Sequence, residues 1–331
     1  MKKNKIRSIK DLNQEELKKW IVENKYPKFR SKQIYNWIYK QFVDSPFEMK
    51  NIPKKIRENI DNYGNFNLLE LDNPNEIIVN SSKKYLFKLI DGYFIESVLI
   101  LENNRVTICV SSQVGCGLKC GFCQTGKMGF LRNLTVGEIV DQILFIRKDI
   151  NKPITNVVYM GMGEPFLNYD NVIKSAIIIN DNAGLNIGAR KITISTSGIV
   201  PEIYKFADIN YQFKLAISLN VPTDEKRDKI MPINKKYNLN KLIEALKYYN
   251  FKTNKKITIE YVLMKDVNDF EQDAKDLINL LKNIHCKINL IPFNENETEF
   301  SRPNREKINK FHKLIEKRID STIRWSKGEE S

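Results

Sequence analysis

The feature that most limits the fold is the alternation of strand-like and helix-like segments from Arg105 onward. The strand-like runs are VTICVSS, NVVYMGM, KITISTS, QFKLAISLN, KITIEYVLM and KINLIPFN. Strand, helix, strand at intervals of about 30 residues is typical of parallel βα units, because parallel strands need a crossover connection. The pattern predicts an α/β fold with a partial or complete (βα)6-type barrel, and a doubly wound sheet is the second choice. In either architecture, chemistry lies in the loops after the strands.

The clearest helix signal between these strands begins at Thr135. Thr135 and Glu138 have the spacing of a capping box, in which each side chain accepts a backbone N–H of the other residue. Apolar residues at helical spacing follow: Val136, Ile139, Val140, Ile143 and Leu144. The sequence therefore predicts that a helix starts here.

The chain has 331 residues, a length that suggests a main domain with an appendage. Residues 1–66 carry helical patterns interrupted by prolines, and we expect a helical accessory domain. Residues 67–104 change to short strand-like runs, with turn signals at Asn80-Ser81 and Asp91-Gly92, and predict a small antiparallel β extension. Residues 105–331 would form the core barrel.

The positive charge is concentrated near the N-terminus. Residues 1–62 hold sixteen Lys or Arg and eight Asp or Glu, so +8 of the total net charge of +14 lies in this part. Such an asymmetry is typical of a surface that meets nucleic acid. A lysine excess that only favours solubility is the alternative. No run approaches the roughly 18 apolar residues of a membrane span, and the first residues lack a signal-peptide pattern. We expect a cytoplasmic monomer without membrane contact.

The cysteines predict a metal or redox site. Three of the five, Cys116, Cys120 and Cys123, lie within eight residues in a CxxxCxxC pattern rich in glycine. An odd number of cysteines in a cytosolic chain is not a disulfide framework. A structural zinc ion would need a fourth ligand, and neither histidine lies nearby in sequence. Three ligands on a four-iron cluster leave one iron open for a substrate or cofactor.

This loop, placed after the first strand of the βα repeat, resembles the cluster-binding loop of the radical S-adenosylmethionine (SAM) superfamily. Further blocks along almost the whole chain are similar to the RlmN/Cfr family of RNA adenine methyltransferases. These blocks are YPKFRSKQIYNWIY, RVTICVSSQVGC, NLTVGEIVDQI, MGMGEP, ITISTSG, SLNVPTDEKRDKIMPIN and INLIPFN.

The resemblance implies two cofactors and their ligands. Cys116, Cys120 and Cys123 would hold a 4Fe-4S cluster, whose free iron would bind SAM. The positions that match SAM contacts in the family are Gly163, Glu164, Ser195, Ser218, Leu219, Asn220 and Asn294. Relatives usually have His where this chain has Asn220. Asn can still donate and accept hydrogen bonds, so we expect the contact to be kept.

Glu96 and Cys109 match the general base and one of two catalytic cysteines of the family. Taken alone, Glu96 would be a solvent-facing strand residue and Cys109 a packing residue. Strand alternation places Thr107, Cys109 and Ser111 on one face, and we expect this smaller, more polar face to point into the barrel mouth.

By the same resemblance, the substrates would be 23S rRNA and tRNA, methylated at carbon 2 of adenosine. That carbon is electron-poor and a weak nucleophile, so a radical route would replace its ordinary attack on the SAM methyl group. An electron donor protein such as flavodoxin or ferredoxin would reduce the cluster. Relatives carry the transferred methyl group on a cysteine near the C-terminus. The sequence printed here has no cysteine after Cys286, which we expect to be a packing residue.

Three hypotheses follow. The first is an RlmN-like methyltransferase. The second is a radical SAM paralogue with Cfr-like carbon 8 methylation or other chemistry. The third is a catalytically incomplete homologue that binds RNA through the basic N-terminal helices.

Overall fold

The computed structural model describes residues 6–72, 77–79, 82–295 and 298–325. The chain divides into two compact units. The first unit comprises residues 1–114, 132–162 and 168–192, and the second comprises 115–131, 163–167 and 193–331. The division into 1–66, 67–104 and 105–331 stays a proposal.

The described residues contain eleven α-helices. Their bounds are α1 Gln14–Glu23, α2 Arg30–Tyr39, α3 Lys54–Tyr63, α4 Gln124–Lys127, α5 Val136–Ile150, α6 Tyr169–Asn180, α7 Val200–Asp208, α8 Asp224–Ile230, α9 Leu239–Thr253, α10 Glu271–Leu281 and α11 Arg305–Glu316. Within the described ranges, none of them is both long and apolar enough to cross a bilayer.

The strands of the same ranges number thirteen. Their bounds are β1 Leu69–Leu71, β2 Ile77–Val79, β3 Ser82–Leu89, β4 Phe94–Glu102, β5 Arg105–Cys109, β6 Gln113–Gly115, β7 Phe130–Asn133, β8 Asn156–Tyr159, β9 Ile192–Thr196, β10 Lys214–Ser218, β11 Ile257–Leu263, β12 Cys286–Pro292 and β13 Ser321–Ile323. All six strand-like runs of the βα repeat are therefore strands.

The first unit contains a sheet in the order β1-β3-β4-β5-β8, with β2 paired to β3. The pairs from β1 to β5 are antiparallel, and β5 pairs with β8 in parallel. The predicted antiparallel extension is confirmed. It is continuous with β5, since Glu102 of β4 pairs with Arg105 of β5. A turn at Asp91-Gly92 joins β3 to β4, whereas the other turn signal, Asn80-Ser81, lies outside the described residues.

The second unit contains parallel strands in the order β9-β10-β11-β12-β13. Each strand pairs with the next one along the chain. A doubly wound sheet would need a reversal of strand order, and the described strands of neither unit show one. The sequential order matches the predicted barrel-type progression.

The helix predicted from Thr135 is confirmed as α5. Thr135 Oγ1 accepts from Glu138 N at 3.2 Å, and Glu138 Oε2 accepts from Thr135 N at 2.8 Å. The helix ends at Ile150, and the C-cap residue Asn151 has a left-handed φ of 48°. The N-terminal helices also form as predicted, with apolar faces that bury Leu17 and Ile34.

Helices pack on one face of each sheet. In the first unit, Ile95 and Ser97 of β4 are buried, and Ser97 Oγ donates to Gln142 Oε1 of α5 at 2.7 Å. Glu96 lies between them on the opposite face. In the second unit, the Tyr261 ring of β11 stacks on Phe311 of α11 with centroids 5.6 Å apart.

Candidate active site

The cysteine loop follows β6 and is folded by backbone hydrogen bonds. Cys116 N donates to Gly129 O at 2.8 Å, and Gly121 N donates to Ile230 O at 2.9 Å. Gly115 has a φ of 72°, and a Cβ at this position would lie 1.8 Å from Gly129 O. Only glycine fits such a close backbone approach. The loop therefore curls back on the backbone at Gly129.

The Cys116 and Cys123 thiols lie near enough to Cys120 to raise its pKa. Cys116 and Cys120 are buried and Cys123 is half-buried. Burial is the main cause that raises the pKa of Cys116 to about 11 and that of Cys120 to about 12, and the charges of Glu164 and Cys123 add to both shifts. The peptide N–H groups of Leu118 and Glu164 donate to the Cys116 sulfur and oppose its shift. The loop thus has donors ready for a sulfur that carries negative charge.

The donor set fits an iron–sulfur cluster. Thiolates are soft ligands that suit iron–sulfur clusters or zinc. A positively charged group bound beside these thiols would lower their pKa and so offset the effect of burial. Within the part of the chain that the structure describes, no three Cys, His, Asp or Glu side chains converge on a site for a single metal ion. Cys116, Cys120 and Cys123 would hold the 4Fe-4S cluster.

Gly163 and Glu164 form the next part of the site. Gly163 has a φ of 96°, which a glycine adopts without strain. Glu164 is 3% exposed; its Oε1 accepts from Phe166 N at 3.0 Å and its Oε2 from Ser197 N at 2.8 Å. Burial raises the pKa of Glu164, and these donors oppose the shift. The carboxyl group is fixed between two backbone segments.

Ser195, Ser218 and Leu219 lie on neighbouring strands of the second unit or at their ends. Ser195 of β9 pairs with Ala216 of β10, two residues before Ser218. The strand period of two therefore places Ser195 and Ser218 on one face of the sheet. Ser195 and Leu219 are buried, while Asn294, two residues beyond β12, is exposed.

Asn220 is held by its neighbours and has a left-handed φ of 61°. Its Oδ1 accepts from Val262 N at 3.0 Å, and its Nδ2 lies 3.4 Å from Met231 Sδ. Its carbonyl oxygen accepts from Asn268 Nδ2 at 2.6 Å. The Asn220 side chain therefore ties the end of β10 to β11, and Asn tolerates the left-handed conformation well.

Sequence reasoning missed Arg227. This side chain is 0% exposed; its Nη2 donates to Ser197 O at 2.7 Å and its Nε to Leu219 O at 3.3 Å. Its Nη1 donates to Asn234 Oδ1 at 3.0 Å. Burial lowers the pKa of Arg227 to about 10, and its charge acts to lower the pKa of Cys120. Arg227 fixes the chain just after β9 and β10. It was missed because the charged run DEKRDK, taken as sequence alone, predicts a helix face exposed to solvent.

Glu96 and Cys109 lie in the first unit and share a face of the sheet. Val98 of β4 pairs with Cys109 of β5, so Glu96, two residues before Val98, is a diagonal neighbour of Cys109 on the same face. This is the face opposite α5, and both residues are half-buried. Glu96 Oε2 lies 3.2 Å from Lys84 Nζ, and its carbonyl oxygen accepts from Ser111 Oγ at 2.6 Å.

The structure thus gathers the predicted site residues in two sets. The second unit holds the three thiols together with the predicted SAM contacts. The first unit holds Glu96 beside Cys109. Cys286, at the start of β12, is buried, and burial raises the pKa of its thiol to about 11.

Comparison with protein families gives two matches. Residues 110–281 match the radical SAM superfamily. Residues 8–64 match the ribosomal RNA large subunit methyltransferase N-terminal domain.

Individual relatives match almost the full chain. A probable dual-specificity RNA methyltransferase RlmN of Thermotoga maritima is 44% identical over 324 residues, which cover 98% of this chain and 94% of the relative. The protein of the same description from Dictyoglomus thermophilum is 46% identical over 310 residues, covering 91% and 88%. The crystal structure of a radical SAM methyltransferase from Sphaerobacter thermophilus superposes with a TM-score of 0.92 at 38% identity, covering 97% of this chain and 96% of that one.

Proposed function

The chain belongs to the RlmN family of radical SAM RNA methyltransferases, and we propose that it methylates carbon 2 of adenosine in 23S rRNA and in tRNA. One observation carries this proposal. The three-thiol loop lies in the same compact unit as the buried polar groups that follow strands β9 and β10. The relatives reported above are described as RlmN, and Cfr-like methylation at carbon 8 is the alternative.

The second unit would hold the cofactors of the family, a 4Fe-4S cluster and SAM. Together these supply one-electron cleavage of a sulfonium bond and thereby radical chemistry at an unreactive carbon. Cys116, Cys120 and Cys123 are the cluster ligands in this proposal. The N–H groups that point to the Cys116 sulfur stabilise its negative charge.

The predicted SAM contacts would orient the cofactor by charge and hydrogen bonding. Glu164 provides a carboxyl group whose oxygens are already aligned by backbone donors, and it would attract the cofactor's ammonium group. Ser195 and Ser218 offer hydroxyl groups on one face. Asn220 is used within the protein, so its contribution would be to fix the backbone of the Ser218-Leu219-Asn220 step.

The first unit would supply the residues that act on the RNA base. We assign to Glu96 the removal of the proton from carbon 2, because its carboxylate is half-exposed and lies on the open face of the sheet. Cys109 lies on the same face and would be one of the two catalytic cysteines of the family. The sequence printed here has no cysteine after Cys286 that matches the other one, the methyl carrier. Their shared face is the geometric support for this pairing.

RNA contact is assigned to the N-terminal helices. Exposed basic side chains in this region include Lys19, Lys25, Lys28, Lys32, Lys40, Lys50, Lys54 and Lys55. The Phe29 side chain is 56% exposed, and the Arg30 guanidinium lies 4.7 Å from its ring centroid. Exposed cations with an aromatic ring suit phosphate contact and base stacking. The proposal also includes a cytoplasmic location, a monomer, and an electron donor protein such as flavodoxin or ferredoxin.

The test is a methylation assay with anaerobically reconstituted protein, SAM, a chemical reductant and unmodified 23S rRNA fragments or tRNA. Nucleoside mass spectrometry should detect 2-methyladenosine, and 5′-deoxyadenosine should accumulate. Formation of 8-methyladenosine instead would support the carbon 8 alternative. Release of 5′-deoxyadenosine without any methyladenosine would support the paralogue hypothesis. RNA binding without either product would support the catalytically incomplete homologue.

A further inference from the structure

A row of polar side chains crosses the sheet of the second unit. Ser218 of β10 pairs with Glu260 of β11, Glu260 with Asn289 of β12, and Asn289 with Thr322 of β13. Paired residues of adjacent parallel strands lie on the same face. Inward layers of such sheets are usually filled by branched apolar residues. A polar row in this register therefore needs a reason.

The other face of the same strands is apolar and covered by helices. Ile259 and Tyr261 of β11 are fully buried, as are Ile288 and Leu290 of β12. Tyr261 stacks on Phe311 of α11. The polar row thus lies on the face away from α11, the face that carries Ser195 and Ser218.

Glu260 is the most unusual member of the row. It is 7% exposed, and its Oε2 accepts from Asn289 Nδ2 at 2.7 Å. Burial raises the pKa of Glu260, whereas the hydrogen bond from Asn289 and the charges of Arg324 and Lys287 lower it. A carboxylate offers about four acceptor positions and no donor. Burying such a group is unfavourable unless its acceptor positions are used.

We propose that Glu260, aligned by Asn289, is a recognition residue for the ribose hydroxyl groups of the SAM nucleoside. The inference rests on the proposed function, because it takes Ser218 as part of the SAM site. Glu260 lies directly opposite Ser218 in the β10–β11 register, so one ligand can reach both side chains. A ribose diol presents two neighbouring neutral donors, which suit an acceptor-only group.

The other parts of SAM suit Glu260 less well. The carboxylate at the methionine end of SAM would repel a negative charge, and the ammonium group beside it is already assigned to the region of Glu164. Adenine presents one amino group among several ring acceptors. The ribose is therefore the part of the cofactor whose chemistry matches the acceptor-rich site of Glu260 and Asn289.

The experiment measures how strongly the protein discriminates between ribose and deoxyribose forms of one ligand. Cluster-reconstituted wild-type protein is titrated by calorimetry with S-adenosylhomocysteine and with its 2′-deoxy and 3′-deoxy analogues. A hydrogen bond to a charged group should make the wild-type Kd at least about tenfold lower for the ribose form than for one of the deoxy analogues. The Glu260→Gln variant should reduce this ratio to about twofold, mainly by weakening binding of the ribose form.

Two further variants separate recognition from structure. Glu271→Gln, at the start of α10, changes an exposed carboxylate and should leave the ratio unchanged. Glu260→Ala should lose the discrimination as well, and thermal melting checks that each variant is folded. If Glu260→Gln weakens ribose and deoxyribose ligands equally, the residue is only structural and the inference is wrong.

The remaining outcomes are also decisive. Wild-type protein that binds S-adenosylhomocysteine with no preference for ribose overturns the inference and leaves the proposed function standing. Protein that loads a cluster but binds no SAM-like ligand overturns both.

Discussion

The buried groups of the second unit and the open face of the first unit hold their charges in different ways. Arg227 and Glu164 are almost fully buried, and most of the hydrogen bonds that hold them come from backbone carbonyl or N–H groups. Glu96 is 43% exposed at its side chain and is paired with Lys84, which is 47% exposed. The first arrangement is rigid before any ligand arrives. The second leaves a carboxylate that can exchange its partner.

The physical reason for the difference lies in solvent screening. A buried charge that loses its partners leaves polar groups unsatisfied, which costs about 1–3 kcal/mol for each group. An exposed ion pair contributes only about 0–1 kcal/mol. We infer that the residues around Arg227 and Glu164, the proposed cofactor region, are fixed by folding. The sheet face of the first unit that carries Glu96, here called the Glu96 face, is arranged to meet the proposed substrate. The following predictions test this contrast, beginning with the largest effect.

Cys120→Ala should abolish cluster binding, because the remaining two thiols cannot hold the cluster that three hold. Iron and sulfide analysis of the anaerobically reconstituted variant measures the loss. Cys286→Ala removes another buried thiol outside the loop and is the matched control. It should keep the wild-type iron content. A Cys120→Ala protein that retains a full cluster would show that the ligand assignment is wrong.

Glu96→Gln should lower the rate of adenosine methylation by at least about 100-fold, because a positioned general base contributes about that much or more. Release of 5′-deoxyadenosine should continue, since Glu96 is not among the cofactor ligands. Both products are measured by mass spectrometry in one reaction. Glu102→Gln, on the same strand, serves as the control and should methylate normally. Equal methylation rates for Glu96→Gln and wild type would remove Glu96 from the mechanism.

Arg227→Met should lower the free energy of unfolding of the apo-protein by about 2 kcal/mol, because the carbonyl groups of Ser197 and Leu219 lose a buried donor. Urea denaturation followed by circular dichroism provides the measurement. Lys229→Met, on the exposed side of the same helix, should change stability by less than about 0.5 kcal/mol. Similar values for the two variants would contradict the structural role of Arg227.

Lys84→Met should have the smallest effect of the four. The free energy of unfolding should change by no more than about 1 kcal/mol, because the pair with Glu96 is exposed and screened by solvent. High salt should reduce the difference between variant and wild type further. A loss above about 2 kcal/mol would show that the Glu96 face is as rigidly held as the cofactor region.

The sequence predicts the parts of this molecule that depend on local patterns. The capping box at Thr135 uses residues three apart. The CxxxCxxC spacing and its glycines are also visible locally, although the folded loop gains a hydrogen bond from Gly121 N to the distant Ile230 O. The strand runs have the right periodicity, so all six were found. Local spacing therefore accounts for the fold class and for the three thiols.

The parts that could not be predicted depend on segments distant in sequence. Arg227 sits in a charged run and is buried only because it meets carbonyl groups of the chain just after β9 and β10. Glu260 stands in the apolar run ITIEYVL, and its partner Asn289 becomes visible only through the register of β11 and β12. The roles of Asn220, whose side chain joins β10 to β11, likewise require the folded backbone. Contacts of this kind leave no periodic signal in the sequence.

The most direct test of the central claim is electron paramagnetic resonance of the reduced, reconstituted protein with and without SAM. Three thiol ligands leave one iron open, so we expect the signal of a reduced 4Fe-4S cluster whose g-values change when SAM is added. A protein that binds zinc in the cysteine loop, or a cluster signal that SAM leaves unchanged, would contradict the account.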